Sequence, residues 1–227
     1  MKTLRFFLIC SFFLWAGTHA CEGAAEESSP GPAPEEVTVD QKIQQLQTIL
    51  SKSPYARGYY ELGKLYESAD RLLPAEQQFK KVILMEPGNA KAYQALGTLY
   101  GRMERKQESI DVLKMAYEIN PGEDEVIDAL AVSYQLAGKQ NEAIDLYEKA
   151  VKEKPDDMMR LARLGQAFAF KGKEKKAITI YEQVLEKRPD IEPVRYELIK
   201  LYNNRKDLKK VSEHLQILKQ NSPAEVQ

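Results

Sequence analysis

The sequence predicts an all-α solenoid of five helical hairpins with a capping helix at its N-terminal side. Three observations predict it. Pro87, Pro121, Pro155, Pro189 and Pro223 recur every 34 residues, and they are five of the eight prolines outside residues 21–36. A recurrence of that length is the mark of stacked supersecondary units. Within each block the apolar residues fall three and four apart in two runs with a break between them, the spacing of one face of a helix. Leucine holds one column in all five blocks, as Leu62, Leu96, Leu130, Leu164 and Leu198.

In chain order, residues 1–20 read as an export signal. Lys2 and Arg5 precede an uncharged run from Phe6 to Gly17, and Thr18-His19-Ala20 supplies a small-x-small end. The run has 12 residues, short of the roughly 18 that a membrane-spanning helix needs. Cleavage after Ala20 would leave Cys21 first. Two readings stand open there. Ala20-Cys21 is similar to the end of the bacterial lipoprotein box, from which Thr18 and His19 depart, so Cys21 is either a lipidation site or the first residue of an ordinary secreted chain. Residues 21–36, CEGAAEESSPGPAPEE, contain no large apolar side chain and are expected to form a disordered acidic leash. Residues 37–54 are expected to form the capping helix, with Val39, Ile43, Leu46, Ile49 and Leu50 on one face.

The blocks themselves span 56–89, 90–123, 124–157, 158–191 and 192–225. Their eighth column is small in four cases (Gly63, Gly97, Ala131, Gly165), as is a later one (Ala75, Ser109, Ala143, Ala177), so the two helices of a block can approach closely. Gly138 and Gly172 stand in the break, where a left-handed residue ends a helix. Pro74 falls near the start of a second helix, where a missing N–H is harmless. The last block breaks both small columns with Ile199 and Val211 and places Arg195 where an aromatic or aliphatic side chain is expected. Its hairpin is expected to be splayed. Its second helix carries Ser212, His214 and Lys219 where the second block has Ile110, Val112 and Tyr117, a polar face suited to ending the array. His214 is expected to be a solvated cap residue.

These columns resemble the tetratricopeptide repeat family over residues 56–225: an aromatic at Tyr59 and Tyr93, Leu-Gly at Leu62-Gly63, Tyr at Tyr66, then Ala75, Phe79 and Pro87. The resemblance implies a right-handed superhelix whose first helices line a concave groove. The family's groove positions fall on Tyr60 and Lys64 in the first repeat and on Gln94 and Thr98 in the second. They fall on Asp128, Val132 and Leu136 in the third, on Met159, Gln166 and Phe170 in the fourth, and on Tyr196 and Lys200 in the fifth. The ends of this set are polar and its middle is apolar. Val132, Leu136, Met159 and Phe170 are expected to be exposed, as interaction patches are; burial by neighbouring repeats is the competing reading. Chaperone-binding members grip a terminal carboxylate with Lys and Asn of one repeat, Asn of the next, and Lys and Arg of a third. Here those positions hold Tyr60 and Lys64, Ala95, then Glu125 and Ala129, so the resemblance implies no such clamp.

Composition narrows the function. The chain carries 33 Lys+Arg against 34 Asp+Glu, and without clustered basic charge no nucleic-acid partner is expected. Of two His and two Cys, His19 and Cys10 lie in the expected signal, leaving His214 and Cys21 far apart in the sequence. That is too few for a Cys/His zinc site or a Cys-His nucleophile pair, so no cofactor and no catalysis are expected. The expected function is a non-enzymatic interaction scaffold of a bacterial cell envelope, periplasmic or tethered by a lipid on Cys21. Its groove would bind a protein or peptide segment of another envelope protein. The layout resembles tetratricopeptide lipoproteins that help assemble pili, secretion pores or outer-membrane proteins. A self-associating structural protein is the alternative and an enzyme the remote one.

Overall fold

The computed structural model describes residues 37–221. The expected signal (1–20), the leash (21–36) with Cys21, and Pro223 lie outside the described residues. Among the described residues the secondary structure is eleven α-helices and no strand. Helix α1 (Val39–Lys52) begins at a capping box. Gln41 Oε1 accepts from the Thr38 backbone N–H at 2.8 Å, and Thr38 Oγ1 accepts from that of Gln41 at 3.3 Å. Only part of the expected apolar face is used. Ile43 and Leu50 are buried and Leu46 packs beside them, whereas Val39 and Ile49 are exposed.

Five hairpins follow: α2 (Ala56–Ser68) with α3 (Leu72–Met85), α4 (Ala90–Arg102) with α5 (Lys106–Ile119), α6 (Asp124–Leu136) with α7 (Gln140–Glu153), α8 (Met158–Phe170) with α9 (Glu174–Lys187), and α10 (Glu192–Asn204) with α11 (Leu208–Asn221). Each helix packs on its chain neighbours, so the array is one continuous α-solenoid. The second helices α3, α5, α7 and α9 stop two residues before Pro87, Pro121, Pro155 and Pro189. A proline there cannot continue a helix.

Within every hairpin the chain reverses through one left-handed residue: Asp70, Glu104, Gly138, Gly172 and Lys206, with φ between 56° and 76°. The next backbone N–H reaches back five residues to the first helix, as in Arg71 to the Tyr66 carbonyl (2.8 Å) and Lys139 to that of Tyr134 (2.8 Å). This is the Schellman closure, which satisfies carbonyls the helix end leaves open.

The small eighth column is a hole for a large side chain of the second helix. A Cβ on Gly63 would stand 2.6 Å from Phe79, on Gly97 2.4 Å from Leu113, and on Gly165 2.6 Å from Tyr181. Ser109 occupies the other small column without strain, because its hydroxyl donates to the Gly97 carbonyl at 2.7 Å and lies 2.8 Å from that of Ser133. The three glycine-bearing hairpins pack most closely, while those with Ala131 and Ile199 are looser. In the last hairpin Ile199 stands in the glycine column and is half-buried. Leu215, which shares a column with the buried Phe79, Leu113, Tyr147 and Tyr181, is 49% exposed.

His214 departs from the solvated cap expected of it. It is half-buried, stacked on Tyr202 with ring centroids 5.7 Å apart, and its Nδ1 lies 3.3 Å from the Arg195 guanidinium. Arg195, in an aromatic or aliphatic column, is itself buried and donates to the Pro189 carbonyl at 2.7 Å. Burial first, then the Arg195 charge, hold the His214 pKa below its ordinary value.

Candidate binding groove

The first helices α2, α4, α6, α8 and α10 carry all the groove candidates. Their inward columns, such as Val126, Ile127 and Leu130 on α6, are buried against the second helices. The second, fifth, ninth and thirteenth positions of a repeat lie three or four residues apart and so share the remaining face. On that face Val132 and Leu136 of α6, Met159 and Phe170 of α8, and Tyr196 of α10 are between 48% and 59% exposed. Neighbouring repeats do not cover them. Exposed apolar side chains on three successive first helices form a stripe along the middle and C-terminal part of the array.

The polar candidates behave differently. Asp128 is part of the groove floor: its Oδ2 pairs with Arg163 Nε at 2.7 Å and its Oδ1 accepts from the Tyr147 hydroxyl at 3.1 Å. Burial raises the Asp128 pKa, against the opposing pull of Arg163. Tyr60 is half-buried, its ring 5.7 Å from that of Phe79. The Thr98 hydroxyl donates back to the carbonyls of Gln94 and Ala95 at 3.1 and 2.9 Å, and Gln94 is half-buried. Lys64 pairs with Glu67 at 2.5 Å and Lys200 with Glu197 at 2.7 Å, whereas Gln166 is exposed. Arg102 crosses from the second repeat to Glu67 (3.2 Å) and Asp70 (2.8 Å) of the first. The ends of the groove are laced by their own ion pairs, and among the described residues the apolar middle has no internal partner.

Two recesses open beside these residues. One of about 500 Å³ lies between α1 and α2, lined by Leu46, Ile49, Lys64 and Leu65. Another of about 250 Å³ lies between α8 and α10, where Met159, Ala162, Gln166 and Glu197 surround Tyr181. Among the described residues no group of three His, Cys, Asp or Glu side chains is placed to hold a metal ion, and no helix is long and apolar enough to cross a membrane.

Three features escaped the sequence reading. Arg160 is 1% exposed; it donates to Asp124 Oδ1 at 2.7 Å and to the carbonyls of Ala150 (3.0 Å) and Gly122 (2.9 Å), bracing the third repeat against the fourth. Glu76, also buried, accepts from Lys80 (2.6 Å), Tyr100 (3.0 Å) and Arg105 (2.7 Å) across the first and second repeats. Burial acts to raise its pKa, but those donors prevail and hold it below the ordinary value. The third feature is the pair of tyrosines, Tyr147 and Tyr181, that reach the groove floor from the second helices. Each had a signal: Arg160 interrupts the column Gly58, Ala92, Val126 and Val194, Glu76 interrupts Ile110, Ile144 and Ile178, and the tyrosines add a hydroxyl to the column of Phe79 and Leu113.

Comparison with known proteins follows the same lines. A family model described as "Psidin, N-terminal TPR repeats region" matches residues 71–169, and one described as "Tetratricopeptide repeat" matches residues 161–190. No curated protein matches the chain. Among solved structures, MamA is 27% identical over 66% of this chain and 89% of its own, with a TM-score of 0.58. PilF of Pseudomonas aeruginosa is 16% identical over 83% of this chain and 86% of its own, with a TM-score of 0.61. YrrB, described as a TPR protein with an unusual peptide-binding site, is 18% identical over 81% of this chain and 95% of its own, with a TM-score of 0.56. The last two show the fold alone. Matches running from residue 71 to residue 190, on helical hairpins of constant period, establish that the chain belongs to the tetratricopeptide repeat family, a family of protein-interaction scaffolds.

Proposed function

We propose that the chain is a non-enzymatic scaffold of a bacterial cell envelope and that its groove holds a segment of another envelope protein, in the service of a pilus, secretion or outer-membrane assembly. The observation that carries the groove reading is the set of Val132, Leu136, Met159, Phe170 and Tyr196, half-exposed on the first helices of three successive repeats. Large apolar side chains left exposed together on one face mark an interaction site. A photo-crosslinking amino acid at Phe170 is expected to give a discrete adduct in the native cell, and the same group at the exposed Lys187 of α9 to give none. Glu at both Leu136 and Phe170 should abolish adduct formation through a crosslinker at Met159 while helicity stays unchanged. Adducts that persist in the double variant would rule the groove out.

The envelope assignment rests on the pattern of residues 1–21. Its test is the mass of the mature N-terminal peptide: an acylated Cys21 gives the tethered form, an unmodified Cys21 the periplasmic one, and an intact Met1 refutes export. Trp15 is the only tryptophan, so the processed protein should show tyrosine emission alone.

Self-association is a second reading with its own observation. Leu208 and Leu215 of the loosely packed last hairpin are 68% and 49% exposed. Sedimentation of the folded chain tests it, since a monomer at micromolar concentration removes the reading.

A further inference from the structure

The recess between α8 and α10 contains a polar group that the fold leaves unsatisfied. Tyr181 of α9 is 1% exposed, packs its ring against Gly165 and lines this recess. Its hydroxyl has no hydrogen-bond partner among the described residues. Native structures seldom keep such a group without a reason.

The preceding repeat shows what is missing. There the equivalent tyrosine, Tyr147, donates to Asp128 at 3.1 Å. Asp128 is the fifth residue of its repeat, and the fifth residue of the next is Ala162. The third repeat builds the acceptor in. The fourth has a methyl group instead, and Ala162 opens onto the recess of about 250 Å³. Burial first, then the charge of Glu197, push the Tyr181 phenol up, so it remains an O–H donor at neutral pH. What it needs is an acceptor.

We infer that this recess is a subsite for a neutral amide carbonyl borne on an apolar segment of the partner, with the Tyr181 hydroxyl donating to the carbonyl oxygen. The inference rests on the groove reading above and adds the chemistry of one contact. Met159, Ala162, Ile191 and Val194 give the recess apolar walls. The charges beside it are already paired, Arg163 with Asp128 and Glu197 with Lys200, both at 2.7 Å. An ionised ligand would be desolvated there without a counter-charge, which disfavours it against a neutral acceptor. Met159, half-exposed and unbranched, can rotate aside to give access to the floor.

The test uses two small probes with the same side chain: N-acetyl-leucine N′-methylamide, which is neutral, and N-acetyl-leucine, which is a carboxylate at pH 7. Each is titrated into the folded chain carrying labelled methionine and leucine methyl groups. The neutral probe should shift the Met159 methyl resonance saturably and bind at least about threefold more tightly than the acid. Tyr181→Phe should weaken it by roughly threefold to tenfold, the worth of one hydrogen bond. Ala162→Asp, which copies the third repeat's internal pair, should abolish it. Tyr181→Phe keeps the ring against Gly165, so it remains decisive should Ala162→Asp fail to fold. Absence of a saturable Met159 shift, tighter binding of the acid, or unchanged affinity in Tyr181→Phe would overturn the inference. A shift at Leu136 without one at Met159 would overturn this subsite and leave the groove standing; the in-cell adducts at Phe170 report on the groove and not on this hydroxyl.

Discussion

Five residues at the hairpin reversals adopt one backbone conformation, and only two of them are glycine. Asp70, Glu104 and Lys206 hold φ near 56° to 59° with a Cβ in place, where an L-residue is disfavoured by about 1–2 kcal/mol. The Schellman bonds on either side impose the conformation whatever the side chain. Glu104→Gly should therefore stabilise the protein by about 0.5–1 kcal/mol, while Gly138→Ala should destabilise it by about 1 kcal/mol. Urea denaturation checks both: the midpoint should move up for the first and down for the second with little change of slope. The sequence showed the two glycines and hid the other three reversals, because strain imposed by neighbouring hydrogen bonds leaves no mark on the residue that bears it.

At the scale of elements, close packing was legible and its local failure only partly so. A glycine in the eighth column implies a large side chain opposite, and Phe79, Leu113 and Tyr181 fill those places. Ile199 foretold a looser last hairpin, yet the exposure of Leu215, the burial of Arg195 and the half-burial of His214 follow from how α10 and α11 pack together, which no single column encodes. That arrangement makes the last hairpin sensitive to acid. His214 faces Arg195 from α10, Lys210 and Glu213 on its own helix and Glu182 from α9, and the net result is a folded pKa below the unfolded value of 6.5. Between those two values the unfolded state binds more protons, so stability rises with pH. The contribution of the neutral imidazole is complete above about pH 6.5 and declines as pH falls through the folded pKa. Amide protection in α11 should accordingly decrease on acidification through this window, while α4 and α5 hold theirs. His214→Phe should make α11 protection independent of pH there. An equal loss in wild type and variant would place the sensitivity elsewhere.

Across the whole array each hairpin touches only its neighbours, so cooperativity passes through the junctions one at a time. The groove depends on this rigidity, since its stripe is assembled from three separate repeats. Its position was readable from the sequence because the period places every first helix in the same register. Its floor was not readable, because Asp128, Arg163, Tyr147 and Tyr181 come from two kinds of helix and meet only after folding. The junction between the third and fourth repeats depends on Arg160, whose guanidinium satisfies two backbone carbonyls and Asp124 at once. Arg160→Met keeps most of the volume but leaves the Gly122 carbonyl, and in part that of Ala150, without a donor, a loss of about 2–4 kcal/mol. The loss falls on the coupling between repeats. Unfolding of the variant should therefore broaden or divide into two steps, read by calorimetry as a ratio of van't Hoff to calorimetric enthalpy well below that of the parent. The Leu136 and Phe170 double variant, altered only at exposed positions, should melt as the parent does and fail only in capture. A cooperative single transition in Arg160→Met would show that the apolar core alone carries the coupling. A two-step transition accompanied by weakened adducts at Phe170 would tie partner capture to the rigidity of that junction.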